Sequence, residues 1–194
     1  MKVFLLISAF IFSFCIDAQD TVIVQIAHGS KPRKKYKEEP KTLGGKLGGH
    51  VVIQIGDSVY GFYFIGRRVH AFPHRKNKSG LFHKNSLRDW SNTVKNKKLT
   101  CVFIPVTAEE KKQLLNFYHS NLIIPSYDYA FFGKRCAASC YINLKSIHKM
   151  KGGSYFFSAF YPKQFRKKLL RQSKKRGYRI TVRPGSEKRI WEGD

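Results

Sequence analysis

Acidic residues are scarce in this chain: 12 Asp and Glu stand against 37 Lys and Arg over 194 residues, a formal net charge of +25. A field of that sign repels cationic partners, draws anionic ones and makes association salt-dependent. Cysteine is also rare, with four in all, Cys15, Cys101, Cys136 and Cys140. Cys15 falls in the N-terminal segment, so the remainder carries an odd number and no closed disulfide framework. Cys136 and Cys140 stand one helical turn apart, where a bridge is strained. No C-x-x-C pair exists and the histidines are scattered, so a zinc site is not supported and no cofactor is expected. No apolar run reaches the roughly 20 residues a membrane-spanning helix requires. No internal repeat and no nucleic-acid-reading motif appear, so nucleic acid is not the expected partner.

What is present suits one packed domain: 42% apolar and 14% aromatic residues. The opening "MKVFLLISAFIFSFCIDAQD" has one Lys, an apolar run from Val3 to Ile16 and a polar exit. That layout is expected of a secretory signal peptide over residues 1–18, followed by a single domain over 19–194 exported to the periplasm or outside of a bacterium. Loss of the segment removes Lys2 and Asp17, which cancel. The cations gather in Lys31–Lys46, Arg75–Lys98 and Lys163–Arg189, the last holding one acid, Glu187. Anionic envelope polymers or lipids are the expected partners, with peripheral membrane contact through residues 162–176.

"TVIVQIAHG" reads as a strand, followed by a basic, Gly-rich loop. "HVVIQIG" and "VYGFYFIG" flank a tight turn and predict a hairpin, with "RVHAFPH" as a third strand ended by Pro73. Residues 75–98 read as a connection with one helical turn at "NSLRDW". "KLTCVFIPV" is a strand, and Thr107 with Glu110 forms a capping box for the helix that follows. A second helix begins at Cys136. Pro162 and Gly177 bracket a third, strongly basic one whose apolar side is Phe165, Leu169 and Leu170. "YRITVRPG" closes as a strand. The fold class expected is α+β.

Cys136 is the candidate for chemistry. It is predicted at a helix N-terminus directly after Lys134 and Arg135, where free N–H groups and nearby cations favour a thiolate and the same N–H groups can hold an oxyanion. His50, opening a strand after Gly48 and Gly49, is the candidate proton acceptor, with His28 as its rival. Cys101 and Cys140 read as core residues.

"GGHVVIQIGDSVYGF" resembles the "H-V-x-I-x-x-G-D" hairpin of the circularly permuted papain-like group, which includes permuted NlpC-type hydrolases and lecithin retinol acyltransferase-like proteins. "YDYAFFGKRCAAS" looks like its second element. The resemblance covers about a quarter of the chain and implies a permuted papain-like fold, an antiparallel sheet packed against helices. It implies Cys136 as nucleophile and His50 as base. The NlpC-type branch implies peptidoglycan peptide amides as substrate, and the acyltransferase branch lipid esters. Arg135 departs from the Asn usual before the nucleophile. On the next strand, where the third polar residue usually stands, "VYGFYF" offers only Tyr60 and Tyr63, and His70 is the better candidate to orient His50. Taken whole, the sequence also resembles exported proteins of Bacteroidetes-type bacteria. The competing reading is a non-catalytic basic module that binds anionic envelope polymers or a membrane surface.

Overall fold

The computed structural model describes residues 20–36, 48–66, 68–76 and 79–193. The expected signal segment, 1–18, lies outside the described residues.

The architecture is α+β, as the sequence implies: a six-stranded antiparallel sheet packed against helices. Its centre is β1 (Asp20–His28), flanked by β3 (Gly49–Ile55) and β6 (Leu99–Val106). β4 (Ser58–Phe64) and β5 (Gly80–Ser86) continue beyond β3, and β7 (Ile180–Arg183) pairs with β6 at the opposite edge. Alternation sorts the side chains by face. Val22, Val24 and Ile26 of β1 join Val51, Ile53 and Ile55 of β3 in the main core. Three helices close that core with Leu114 and Tyr118 of α2 (Ala108–Ile123), Cys140 and Leu144 of α3 (Cys136–Ser146), and Phe165 and Leu169 of α5 (Pro162–Lys175). The other face is smaller. There α1 (Leu87–Thr93) lays Trp90 over Ala27, Val52 and Val59, and the indole N–H donates to Gln25 Oε1 at 2.7 Å.

Helix boundaries follow local chemistry. Thr107 and Glu110 form the reciprocal capping box at α2, and Pro162 opens α5. Ser86 caps α1, and Ser154 caps the short α4 (Tyr155–Ala159).

The expected third strand at residues 68–74 is not one. His74 and Ser79 give their N–H groups to Asp128, at 2.8 and 2.6 Å, which folds the β4–β5 connection into turns around a buried carboxylate. The strand forms later, as β5, inside the stretch read as a connection. The tail also gains order. β8 (Arg189–Trp191) pairs with β2 (Ser30–Pro32), and Glu192 is clamped by Arg166 of α5 at 3.0 and 2.8 Å. The His28 Nδ1–H donates to the Glu192 carbonyl at 2.7 Å, and His28 Nε2 accepts from the Thr100 hydroxyl at 2.7 Å.

Glu192→Ala leaves Arg166 without its carboxylate inside the fold, so a loss of about 3 kcal/mol in unfolding free energy is expected. Urea denaturation measures it. Glu192→Gln, which keeps an acceptor, is expected to lose less.

Candidate active site

β3 and β4 do not stay paired along their length. Their ladder runs from Ile55↔Ser58 to Val52↔Gly61 and stops there, although β3 extends back to Gly49 and β4 forward to Phe64. The first residue of α3 fills the break. The Val51 N–H donates to the Cys136 sulfur, taking a partner the ladder no longer supplies. Small residues follow Cys136, with Ala137, Ala138 and Ser139 all buried, so the helix start sits close against the strands.

Arg135 stands at the N-cap of α3 but makes no side-chain cap. Tyr129 does that work from the preceding loop. Its hydroxyl oxygen accepts from the Cys136 N–H, and its O–H donates to the Cys136 sulfur. The Arg135 guanidinium turns outward, bonding the Phe160 carbonyl and lying 4.2 Å from the Phe160 ring centroid.

His50 comes to the same place from β3. Gly49 before it has φ +139° and no room for a side chain, since a Cβ there would lie 2.7 Å from the Ala27 carbonyl oxygen. The His50 ring packs against Tyr63, centroids 4.4 Å apart, and leans toward Trp90 at 6.1 Å. Its Nε2 is enclosed and has no hydrogen-bond partner. Burial alone pulls the imidazole down to about 4. Burial likewise pushes the Cys136 thiol up, and Val51, Ala137, Arg135 and Tyr129 offset only part of this. Burial thus works against the thiolate that the helix terminus and the neighbouring cations favour, and it favours the neutral thiol and the neutral imidazole.

Both residues line a cleft of about 600 Å3, whose walls include Gly48, Gly49, Tyr63, Tyr129, Arg135 and Pro162. The dimensions suit a small ligand or the end of a longer one. Tyr63, packed against His50, has its phenol pushed up to about 12, first by burial and then by the nearby Cys136.

The other candidates lie elsewhere in the bonding scheme. His70 is not joined to His50 Nε2. Its own Nε2 donates to Asp128 at 2.8 Å and meets the Ser79 hydroxyl at 2.8 Å, and its ring stacks on His74. The β4–β5 connection folds over Asp128, so the imidazole pairs with that carboxylate. His28 is bonded at both ring nitrogens in the tail network and is absent from the cleft walls. Cys140 is buried in the main core, and Cys101 packs against the smaller one. One contributor escaped sequence reasoning: Asp128, which stands between Tyr127 and Tyr129 in a short aromatic loop. The signal for Asp128 was an acid standing alone among aromatics in a chain with few acids.

No family model matches the chain, and no curated protein matches it. Among solved structures, the type VI secretion system effector TseH aligns with a TM-score of 0.50 and 10% identity, over 85% of this chain and 98% of that one. At that identity the likeness is one of fold, and the mixed α+β architecture with its antiparallel sheet fits it.

Burial makes His28 and His50 harder to protonate in the folded chain than in the unfolded one, where histidine titrates near 6.5. Their contribution is complete above about pH 6.5 and declines as pH falls, for His50 until about pH 4, by up to ~1.4 kcal/mol per pH unit for each imidazole. Urea denaturation across this window is expected to show that decline, and His50→Gln to flatten it by one proton's share.

Proposed function

We propose that this protein is an exported cysteine hydrolase or acyltransferase of permuted papain-like type, acting on amide or ester bonds. One observation carries the reading. The Cys136 sulfur sits at a helix N-terminus inside the broken β3–β4 ladder, in the same cleft as His50. The order of the elements, histidine strand before cysteine helix, agrees with the permuted arrangement that the hairpin resembles.

In this reading the Cys136 sulfur attacks the substrate carbonyl carbon as His50 accepts the thiol proton. Attack and proton transfer are coupled, because neither group is charged at rest. Moving the proton creates a thiolate and an imidazolium together, and their attraction offsets the burial that disfavours either alone. The Val51 N–H and the Tyr129 hydroxyl point at the sulfur and steady the developing charge. Collapse of the tetrahedral intermediate expels an amine or alcohol that takes the proton back from His50. Water, or a second acceptor, then releases the acyl group from the thioester. Alignment of His50 Nε2, which has no partner at rest, belongs to the substrate-bound state. His70 has no part in this scheme beyond pinning the cleft-side loop to Asp128.

Peptidoglycan peptides and acyl esters are the substrates to try first. The alternative, a non-catalytic basic module for anionic envelope polymers or membrane surfaces, is favoured by the outer side of α5, where Lys167, Arg171 and Lys174 are exposed.

Product analysis by mass spectrometry after incubation with peptidoglycan fragments and with acyl esters tests the reading. Cys136→Ala is expected to reduce turnover to background without loss of fold, and His50→Ala by about 100-fold or more. Cys140→Ala, a core change, is expected to lower stability while turnover by the folded fraction persists. Tyr129→Phe is expected to slow turnover by about tenfold through loss of one hydrogen bond to sulfur. Undiminished activity in Cys136→Ala would overturn the proposal.

A further inference from the structure

The segments that supply Val69, Arg135 and Tyr161 to the cleft wall also carry phenylalanines in mutual contact. Phe72 stacks on Phe132 at 5.4 Å, Phe132 meets Phe131 at 4.9 Å, and Phe131 meets Phe160 at 5.5 Å. The chain of rings goes on from Phe160 to Phe156 at 4.9 Å and from Phe156 to Phe157 at 5.6 Å. Most of it faces water. Relative exposure is 67% for Phe72, 47% for Phe132, 40% for Phe156 and 84% for Phe157. A contiguous exposed apolar ridge of this kind marks an interaction surface, unlike a single stray phenylalanine.

The charges around the ridge point to its partner. Three segments build it, residues 65–76, 131–135 and 151–163, and none contains an Asp or Glu. All three carry cations, among them Arg68, Arg75, Lys134, Arg135 and Lys163. Arg135 lies within the ridge itself, over the rings of Phe160 and Phe131 at 4.2 and 5.2 Å. Apolar rings that project beyond a collar of Lys and Arg match an anionic lipid surface. The rings suit the boundary of the acyl layer and the cations suit the headgroup phosphates.

We propose that this ridge docks the protein on an anionic bilayer, with Phe72 and Phe157 entering the interface. No helix among the described residues is long and apolar enough to cross a membrane, and the contact proposed is one of side chains at the bilayer surface. The ridge takes the place of α5 as the inserting element. α5 turns Phe165 and Leu169 into the core and has only its cationic side to offer a surface. The segments that carry the ridge also supply Val69 and Arg135 to the cleft wall, so docking brings the cleft mouth to the lipid headgroups. The surface is independent of the chemistry assigned to Cys136.

The test uses the full chain and vesicles of phosphatidylcholine and phosphatidylglycerol with brominated acyl chains, which quench tryptophan on contact. The native Trp90 and Trp191 are buried and give a constant background. F72W and F157W are expected to be quenched. V182W, exposed on β7 at the sheet edge opposite β5, is expected not to be. F72S/F157S is expected to bind these vesicles at least about tenfold more weakly with an unchanged circular dichroism spectrum. Vesicles of phosphatidylcholine alone are expected to bind poorly. C136A is expected to bind as the wild type does, which separates failure of the hydrolase reading from failure of this one. The proposal is overturned if the protein does not bind anionic vesicles. It is overturned equally if F157W is unquenched on bound protein, if V182W is quenched as strongly, or if F72S/F157S binds as tightly as the wild type.

Discussion

The organisation of this protein rests on a gap between two strands. β3 and β4 separate at Val52 and Gly61, and the sulfur of Cys136 takes the Val51 N–H that pairing would have satisfied. An unpartnered N–H buried in a core costs about 1–3 kcal/mol, so the break is tolerable only because α3 arrives there. Tyr129 then serves both neighbours, accepting from the Cys136 backbone and donating to its sulfur. Gly49 lets the strand bend close to Ala27 on its way into His50. The thiol, the imidazole and the cleft thus share one cause.

The charge of the chain has an architectural side. Several of its few acids are used internally. Glu192 holds Arg166 and the tail, Asp128 holds the β4–β5 connection, and Glu110 closes the α2 cap while pairing with Lys149 at 2.8 Å. Asp89 sits in the first turn of α1, where it accepts from the capping Ser86 hydroxyl. Of these, Glu192 and Asp128 are buried, so their carboxylates face partners inside the fold and not the solvent. Burial of Asp128 alone would raise its pKa, but the N–H groups of His74 and Ser79 outweigh this and hold it below the usual carboxylate value.

Elements with strong local grammar were readable from the sequence. The Thr107–Glu110 box placed α2, Pro162 opened α5, and the helical spacing after Arg135 placed α3 at Cys136. Alternation in β1, β3 and β4 gave the sheet its antiparallel centre. β5 hid inside a basic stretch because it is an edge strand, with Leu81, His83 and Lys84 turned to solvent and only Phe82 packed in the core. α1 read as a single turn because its burial rests on one residue, Trp90, whose partner Gln25 is 65 positions away in sequence. β2 and β8 are three residues each and join the two ends of the domain, a pairing no local pattern announces. For the site, residue types at helix and strand starts pointed to Cys136 and His50. Their protonation was not legible, because it depends on how deeply each is enclosed. The role given to His70 depended on a neighbour, Asp128, brought to it by the fold.

Burial that favours a neutral thiol and a neutral imidazole in one cleft limits what the site can do at rest. Burial favours a protonated sulfur, and His50 Nε2 has no hydrogen-bond partner. In the proposed hydrolase reading a substrate brings the carbonyl to the sulfur, and His50 Nε2, enclosed and without a partner, has to turn to meet the thiol proton. The cleft wall is formed partly by Val69, Arg135 and Tyr161, which belong to the same segments as the exposed phenylalanine ridge. The ridge and the cleft walls therefore share covalently continuous backbone. The segments are tied to one another by the Phe131 and Phe132 N–H groups, which donate to the carbonyls of His70 and Ala71, each at 2.8 Å. That cross-tie joins the loop that carries Phe72 to the loop that leads into the helix start at Cys136.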